Sequence, residues 1–115
     1  MSKLSKIEQD KLIQEELDRL HSIFINLPSN KKEVAKKLIE RIAFMTIQLE
    51  ILEDTIKTKG PTYMFQNGAQ NMLIENPAQK SYNTTMNRYT AAYDKLFHLV
   101  DKIEAPQSVE DEEDV

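Results

Sequence analysis

Histidine and cysteine, the residue types most used in acid–base and metal chemistry near neutral pH, are scarce in this chain. The chain has two histidines, His21 and His98, and no cysteine. Asp18 and His21 stand three residues apart, a spacing found among di-metal ligands, but such centres also draw carboxylates from a partner helix and this pair has none. Both histidines therefore read as surface or boundary residues rather than ligands. Gly60 and Gly68 are the only glycines, too few for a phosphate-cradling loop, and each has a simpler use as a helix stop or a turn residue. No serine comes with a context that would set it against a histidine and a buried acid. The expectation is a chain that is not an enzyme and takes no cofactor or metal.

Charge and aromatic surface are what remain. The run Lys31-Lys32-Glu33-Val34-Ala35-Lys36-Lys37-Leu38-Ile39-Glu40-Arg41 places five cations in the opening turns of a helix. Cations there oppose the helix dipole at some tenths of a kcal/mol each, so local stability does not favour them. One reading makes Lys31, Lys32, Lys36, Lys37 and Arg41 a DNA-contacting set, with Lys32, Lys36 and Arg41 on phosphates in a salt-sensitive, sequence-independent mode. The other makes them a solvated lysine-rich face. Tyr82, Tyr89 and Tyr93 share a helical stripe with Met86. Stacking on single-stranded bases is one use of such rings, but the spacing matches a packing seam or subunit interface better.

The formal charge is −4, yet six of the 19 acids (Glu104, Glu110, Asp111, Glu112, Glu113, Asp114) lie beyond Ile103, leaving 13 acids against 15 lysines and arginines in the body. A body of slightly positive charge thus carries an acidic tail. The tail serves solubility, or docks a basic partner surface, or competes with nucleic acid for the chain's own lysines.

These features need elements to hold them. Ser5-Lys6-Ile7-Glu8 is a capping-box pattern for a first helix. Ile13, Leu17, Leu20, Phe24 and Leu27 follow at helical spacing until Pro28 stops it. Asn30 is placed to cap a second helix, along which Val34, Leu38, Ile42, Met45, Leu49, Leu52 and Ile56 form a stripe running to Gly60-Pro61. Ile39, Ala43, Phe44, Ile47 and Ile51 widen its apolar arc beyond one face, which predicts neighbours on two sides. Tyr63, Phe65, Met72 and Ile74 flank Asn67-Gly68, a strong two-residue hairpin signal. Such a hairpin is marginal alone, so it must pack on the helices or pair with another subunit. Asn76-Pro77 opens a third helix, with Tyr82, Met86, Tyr89, Tyr93, Leu96, Val100 and Ile103 in a coiled-coil-like seam until Ala105-Pro106.

Two stretches carry a family likeness: Gly60-Pro61-Thr62-Tyr63-Met64-Phe65-Gln66-Asn67-Gly68, and Glu75-Asn76-Pro77-Ala78-Gln79-Lys80-Ser81-Tyr82-Asn83-Thr84-Thr85-Met86-Asn87-Arg88-Tyr89. In wording and order, from Lys36 to Leu99, the chain resembles the short terminase small subunits of tailed phages infecting Gram-positive bacteria. The resemblance implies a ring-forming protein that recognises double-stranded phage DNA when packaging begins and hands it to a large subunit carrying the ATPase and nuclease. No second short helix of the kind that completes a helix-turn-helix is legible before Pro28, so the DNA-contact residues rest on charge alone.

The expected fold is mainly α-helical: three helices, the two long ones antiparallel and joined by a short β-hairpin. Residues 1–105 form one helical oligomerisation and DNA-packaging domain and 106–115 a disordered acidic tail. The homo-oligomer interface is assigned to Ile39, Ile42, Met45, Leu49, Leu52, Tyr82, Met86, Tyr89 and Tyr93. The large-subunit dock is assigned to Glu110, Asp111, Glu112, Glu113 and Asp114. Absence of cysteine and of any long apolar run argues for the cytoplasm, the host's on the phage reading, with no membrane segment. The alternative is a helical adaptor or scaffold of phage assembly that binds protein partners without DNA.

Overall fold

Ser5 starts the first helix by exchanging two hydrogen bonds with Glu8. The Glu8 amide donates to Ser5 Oγ at 3.1 Å and the Ser5 amide to Glu8 Oε1 at 2.9 Å. In the computed structural model, which describes residues 4–108 and, within the last helix, side chains as far as 100, this helix (α1) spans Lys6–Ile23. It stops before the expected limit at Pro28. Phe24 caps it, its amide still reaching Leu20 O at 3.0 Å, and the chain turns over the next residues. Phe24 and Leu27 nonetheless pack on the core, so the apolar spacing that reads as a longer helix reports burial of the turn instead.

The second helix (α2) spans Ser29–Lys59. Asn30 is not its cap. Pro28 holds that place with φ −59° and ψ 155°, and its carbonyl accepts from the amides of Lys31 and Lys32, both at 2.9 Å. The proline ring sets the entry angle without a polar side chain, and the cap carries no side-chain hydrogen bond. Gly60 ends α2 at φ 91°, in the left-handed region, while its amide donates to Ile56 O at 2.6 Å. An added Cβ there would approach Thr62 O to 3.2 Å.

Strands β1 (Thr62–Asn67) and β2 (Gln70–Glu75) pair antiparallel, with Met64 opposite Leu73, Phe65 opposite Met72 and Asn67 opposite Gln70. The two-residue loop is therefore Gly68-Ala69, one place later than Asn67-Gly68 suggests. Gly68, at φ 63°, occupies the first central position, where a primed turn needs positive φ. The third helix (α3) spans Pro77–Ser108, capped by Asn76 Oδ1, which accepts from the Ala78 amide at 3.0 Å. Its backbone stays helical past Ala105-Pro106, because a proline removes only its own N–H and one lost bond near a terminus does not unravel the long run before it.

Two cross-helix bonds establish the register of the long pair. Thr46 Oγ1 bonds Tyr89 Oη at 3.1 Å, and Tyr82 Oη donates to Glu53 Oε2 at 2.9 Å. Seven residues forward in α2 match seven backward in α3, so the helices are antiparallel with the hairpin at their shared end. α1 lies back along the other half of α2, with Gln48 Nε2 donating to Gln9 Oε1 at 3.3 Å. The core sits in that three-helix half: Leu20, Ala35, Ile39, Ile42, Ala43 and Leu96 are buried together. Beyond it the α2–α3 pair runs on with two layers only. The outline is 68 × 37 × 17 Å and the radius of gyration 19.6 Å, against about 13 Å for a compact domain of similar length. Among the described residues, no helix is long and apolar enough to cross a membrane.

Candidate nucleic-acid interface

The helical repeat divides the basic run. At about 100° per residue, Lys32 and Lys36 share one face of α2 and Lys37 and Arg41 another, with about 140° between Lys36 and Arg41. Lys32 and Lys36 are therefore turned well away from Arg41. Lys31 is half-buried, and the other four are exposed.

Lys32 and Lys36 face the bend where α1 gives way to α2. With His21 and Ser22 they rim a pocket of about 430 Å³ whose apolar lining includes Phe24, Ile25, Leu27 and Ile39; Glu33 also borders it. No acid occupies the first turn of α2 to offset these cations.

Lys37 and Arg41 look the other way, onto a groove between α2 and α3. One stretch of that groove is lined by Glu33, Val34, Lys37, Leu38, Lys95 and Leu99, and the next by Phe44, Met45, Gln48, Leu52, Ser81, Thr85 and Arg88. Arg41 falls between the two. Arg88 and Lys95 stand one heptad apart on the flank of α3 opposite Tyr93 and Phe97, so each has an α2 residue across from it: Lys37 for Lys95 and Met45 for Arg88. Arg88 and Lys95 have no cationic neighbours in sequence. The signal that would have found them is the antiparallel register, which puts them in line with Lys37 and Arg41.

The tyrosine seam closes within one chain. Tyr89 and Tyr93 meet edge to face at 5.1 Å between ring centroids, Tyr93 stacks on Phe97 at 5.7 Å, and Phe97 meets Phe24 at 6.4 Å. This aromatic row joins α3 to the end of α1. Burial and a hydrogen bond with Tyr89 push the Tyr93 phenol above its ordinary range. Tyr82, hydrogen-bonded to Glu53, is likewise raised, chiefly by that bond. Beside the row, Arg19 grips Glu16 through two nitrogens, at 2.9 and 2.7 Å, which raises the guanidinium pKa.

Of the residues assigned to a subunit interface, Ile39, Ile42 and Leu49 are buried within the chain itself and Tyr89 and Tyr93 pack against its core. Ile39, Ile42 and Leu49 are covered in one copy, because α1 and α3 pack on α2 from two sides, while Tyr89 and Tyr93 stay half-buried. Met45, Leu52, Tyr82 and Met86 are half-buried in the outer part of the long pair. Large apolar side chains left open lie on the hairpin, Met64 (62% exposed), Phe65 (44%), Met72 (48%) and Leu73 (68%), and also along the helices and the bend, at Ile7, Ile23, Ile25, Val34, Phe44 and Phe97. Strand alternation puts Phe65 and Met72 on one face and Met64 and Leu73 on the other. Lys59 Nζ lies 4.5 Å from the Tyr63 ring centroid at the hairpin base.

His21 and His98 are exposed and on different helices, and among the described residues no three His, Asp or Glu side chains converge as a metal site. Glu110, Asp111, Glu112, Glu113 and Asp114 lie outside the described residues. Comparison of the chain with protein-family models, with curated proteins and with solved structures returns no match in any of the three.

Proposed function

We propose that the chain is the small subunit of a phage terminase: a non-catalytic homo-oligomer, a ring on the family likeness, that holds double-stranded DNA as packaging starts and presents it to a large subunit bearing the ATPase and nuclease. The observation that carries the reading is the uncovered hairpin. Two strands with apolar side chains open on both faces are marginal in water by themselves, and a second copy of the chain covers them. Assembly then multiplies a surface that is weak in one copy. The Lys37–Arg41 side of α2 and the Arg88–Lys95 side of α3 supply that surface, a row of cations suited to phosphates rather than to base edges. Several such rows in one assembly add through avidity. The likeness in wording between Lys36 and Leu99 supports the same role.

A second reading follows from the hairpin's own chemistry. Met64, Phe65, Met72 and Leu73 are apolar and uncharged, the character of a protein-docking surface, and a helical adaptor or scaffold of phage assembly needs nothing more. Sedimentation of the full chain, alone and with duplex DNA over a series of salt concentrations, separates the two. The terminase reading expects assemblies larger than a monomer and DNA binding whose logarithm falls linearly with the logarithm of salt. Assemblies without any DNA shift would establish the adaptor instead, and a stable monomer at micromolar concentration would end both.

A further inference from the structure

The pocket at the α1–α2 bend is lined by cationic side chains, Lys32 and Lys36, and by apolar ones, and the chain carries a segment of the complementary kind. Antiparallel register brings the end of α3 to the start of α2: Leu99 shares a groove with Val34 and Leu38, so the helical residues that continue to Ser108 run alongside the first turns of α2 and the bend before them. The next residues are Val109-Glu110-Asp111-Glu112-Glu113-Asp114-Val115, five consecutive acids between two valines. Ser108, the last residue of α3, brings the chain toward the pole that holds Lys31, Lys32 and Lys36. A span of seven residues reaches up to about 23 Å when extended, enough to cross the width of one helix and enter the pocket.

We propose that residues 109–115 dock on this pocket of their own chain, with the run from Glu110 to Asp114 against Lys32, Lys36 and His21, and Val115 on the apolar floor of Phe24, Ile25 and Leu27. Several exposed ion pairs are individually weak, but here they act within one molecule, where a short linker keeps the local concentration of the tail high. Glu33 on the rim works against the contact and is outweighed by the cations. The Lys37–Arg88–Lys95 groove lies on the opposite side of α2 and stays open. The pocket is thus reserved for the tail, and the two cation sets acquire different partners.

The absence of cysteine allows a single spin label at Glu112→Cys in the full chain, with the isotope-labelled backbone amides as reporters and no nucleic acid present. Docking broadens the signals of His21 to Leu27 and of Lys32 to Lys36 while leaving the hairpin residues 62–75 sharp. The broadening is lost at high salt and in the Lys32→Glu/Lys36→Glu variant, whose exposed side chains leave the helical circular dichroism unchanged. Three results overturn the proposal: broadening that is no stronger at the bend than on the hairpin, broadening centred on Lys37, Arg88 and Lys95, or broadening that survives the double charge reversal. Mixing spin-labelled copies with isotope-labelled, unlabelled-cysteine-free copies tests the same-chain claim. Signals that broaden as strongly in that mixture place the tail on a neighbouring copy and also overturn it. None of these readouts depends on DNA, so the proposal stands or falls apart from the terminase reading.

Discussion

Asn76 clasps Gly60 across the neck of the hairpin, its Nδ2 donating to the Gly60 carbonyl at 2.8 Å while its Oδ1 caps α3. The Asn76 amide also donates to Pro61 O at 2.7 Å. One buried residue, 3% exposed, thereby ties the end of α2, the base of the hairpin and the start of α3 through its side chain and its backbone amide. Asn76→Asp keeps the cap and loses the donor to Gly60; Asn76→Ala loses both. We expect Asn76→Ala to cost about 2–3 kcal/mol, a cap plus an unsatisfied buried carbonyl. Asn76→Ser, which retains only a capping oxygen, should fall between it and the native chain in a urea titration. Equal stability of the native chain, Asn76→Ser and Asn76→Ala would show that the clasp is incidental.

Core and hairpin should respond oppositely to truncation. Ile42→Ala or Leu96→Ala, at positions with no exposure, should cost about 2–5 kcal/mol and lower the melting temperature sharply. Met64→Ser with Leu73→Ser removes exposed apolar surface, so the fold of one copy should lose under about 1 kcal/mol in total. The mass of the assembly in sedimentation should drop instead. If the hairpin double variant sediments like the native chain, its apolar faces are not the contact between copies.

The tyrosines predict behaviour in alkali. The pKa values of Tyr82 and Tyr93 lie above the ordinary value of 10.0, so the folded chain holds those phenolic protons more tightly than the unfolded one. Their contribution to stability is complete below pH 10 and disappears as pH rises through the folded values. Ultraviolet titration of tyrosinate should show a late-ionising fraction, and Tyr82→Phe should remove part of it. Stability measured on the two sides of pH 10 should fall on the alkaline side; a rise would contradict the assignment of the Glu53 bond.

Charge reversal should separate the two cation sets. Lys37→Glu with Lys95→Glu, across the α2–α3 groove, should weaken duplex DNA binding at least tenfold and lower the salt slope by about 2, one for each phosphate contact removed. Lys32→Glu with Lys36→Glu, at the bend, should leave that slope nearly unchanged. The reverse outcome would move the DNA surface to the α1–α2 pocket.

Much of this architecture is legible in residue order. The capping box at Ser5, the stop at Gly60-Pro61 and the Asn76-Pro77 start act over three or four residues, so they hold whatever the chain packs against. The hairpin turn falls one residue beyond Asn67-Gly68, because Asn67-Gly68 and Gly68-Ala69 both satisfy a two-residue loop and cross-strand pairing chooses between them. The length of α1 was misjudged for a related reason: Phe24 and Leu27 are spaced as a helix would space them, but they reach the core from a turn.

By itself, then, the sequence determined the kind and order of the elements and several of their limits, because these depend on local geometry. Only the tertiary structure decided how each apolar and charged face is used. It enclosed Ile39, Ile42 and Leu49 within one copy, left the hairpin open, and parted Lys32 and Lys36 from Lys37 and Arg41 while setting Lys95 across a groove from Lys37. Those allocations depend on which helices lie beside which, a relation between residues dozens of positions apart, and local spacing carries no record of it.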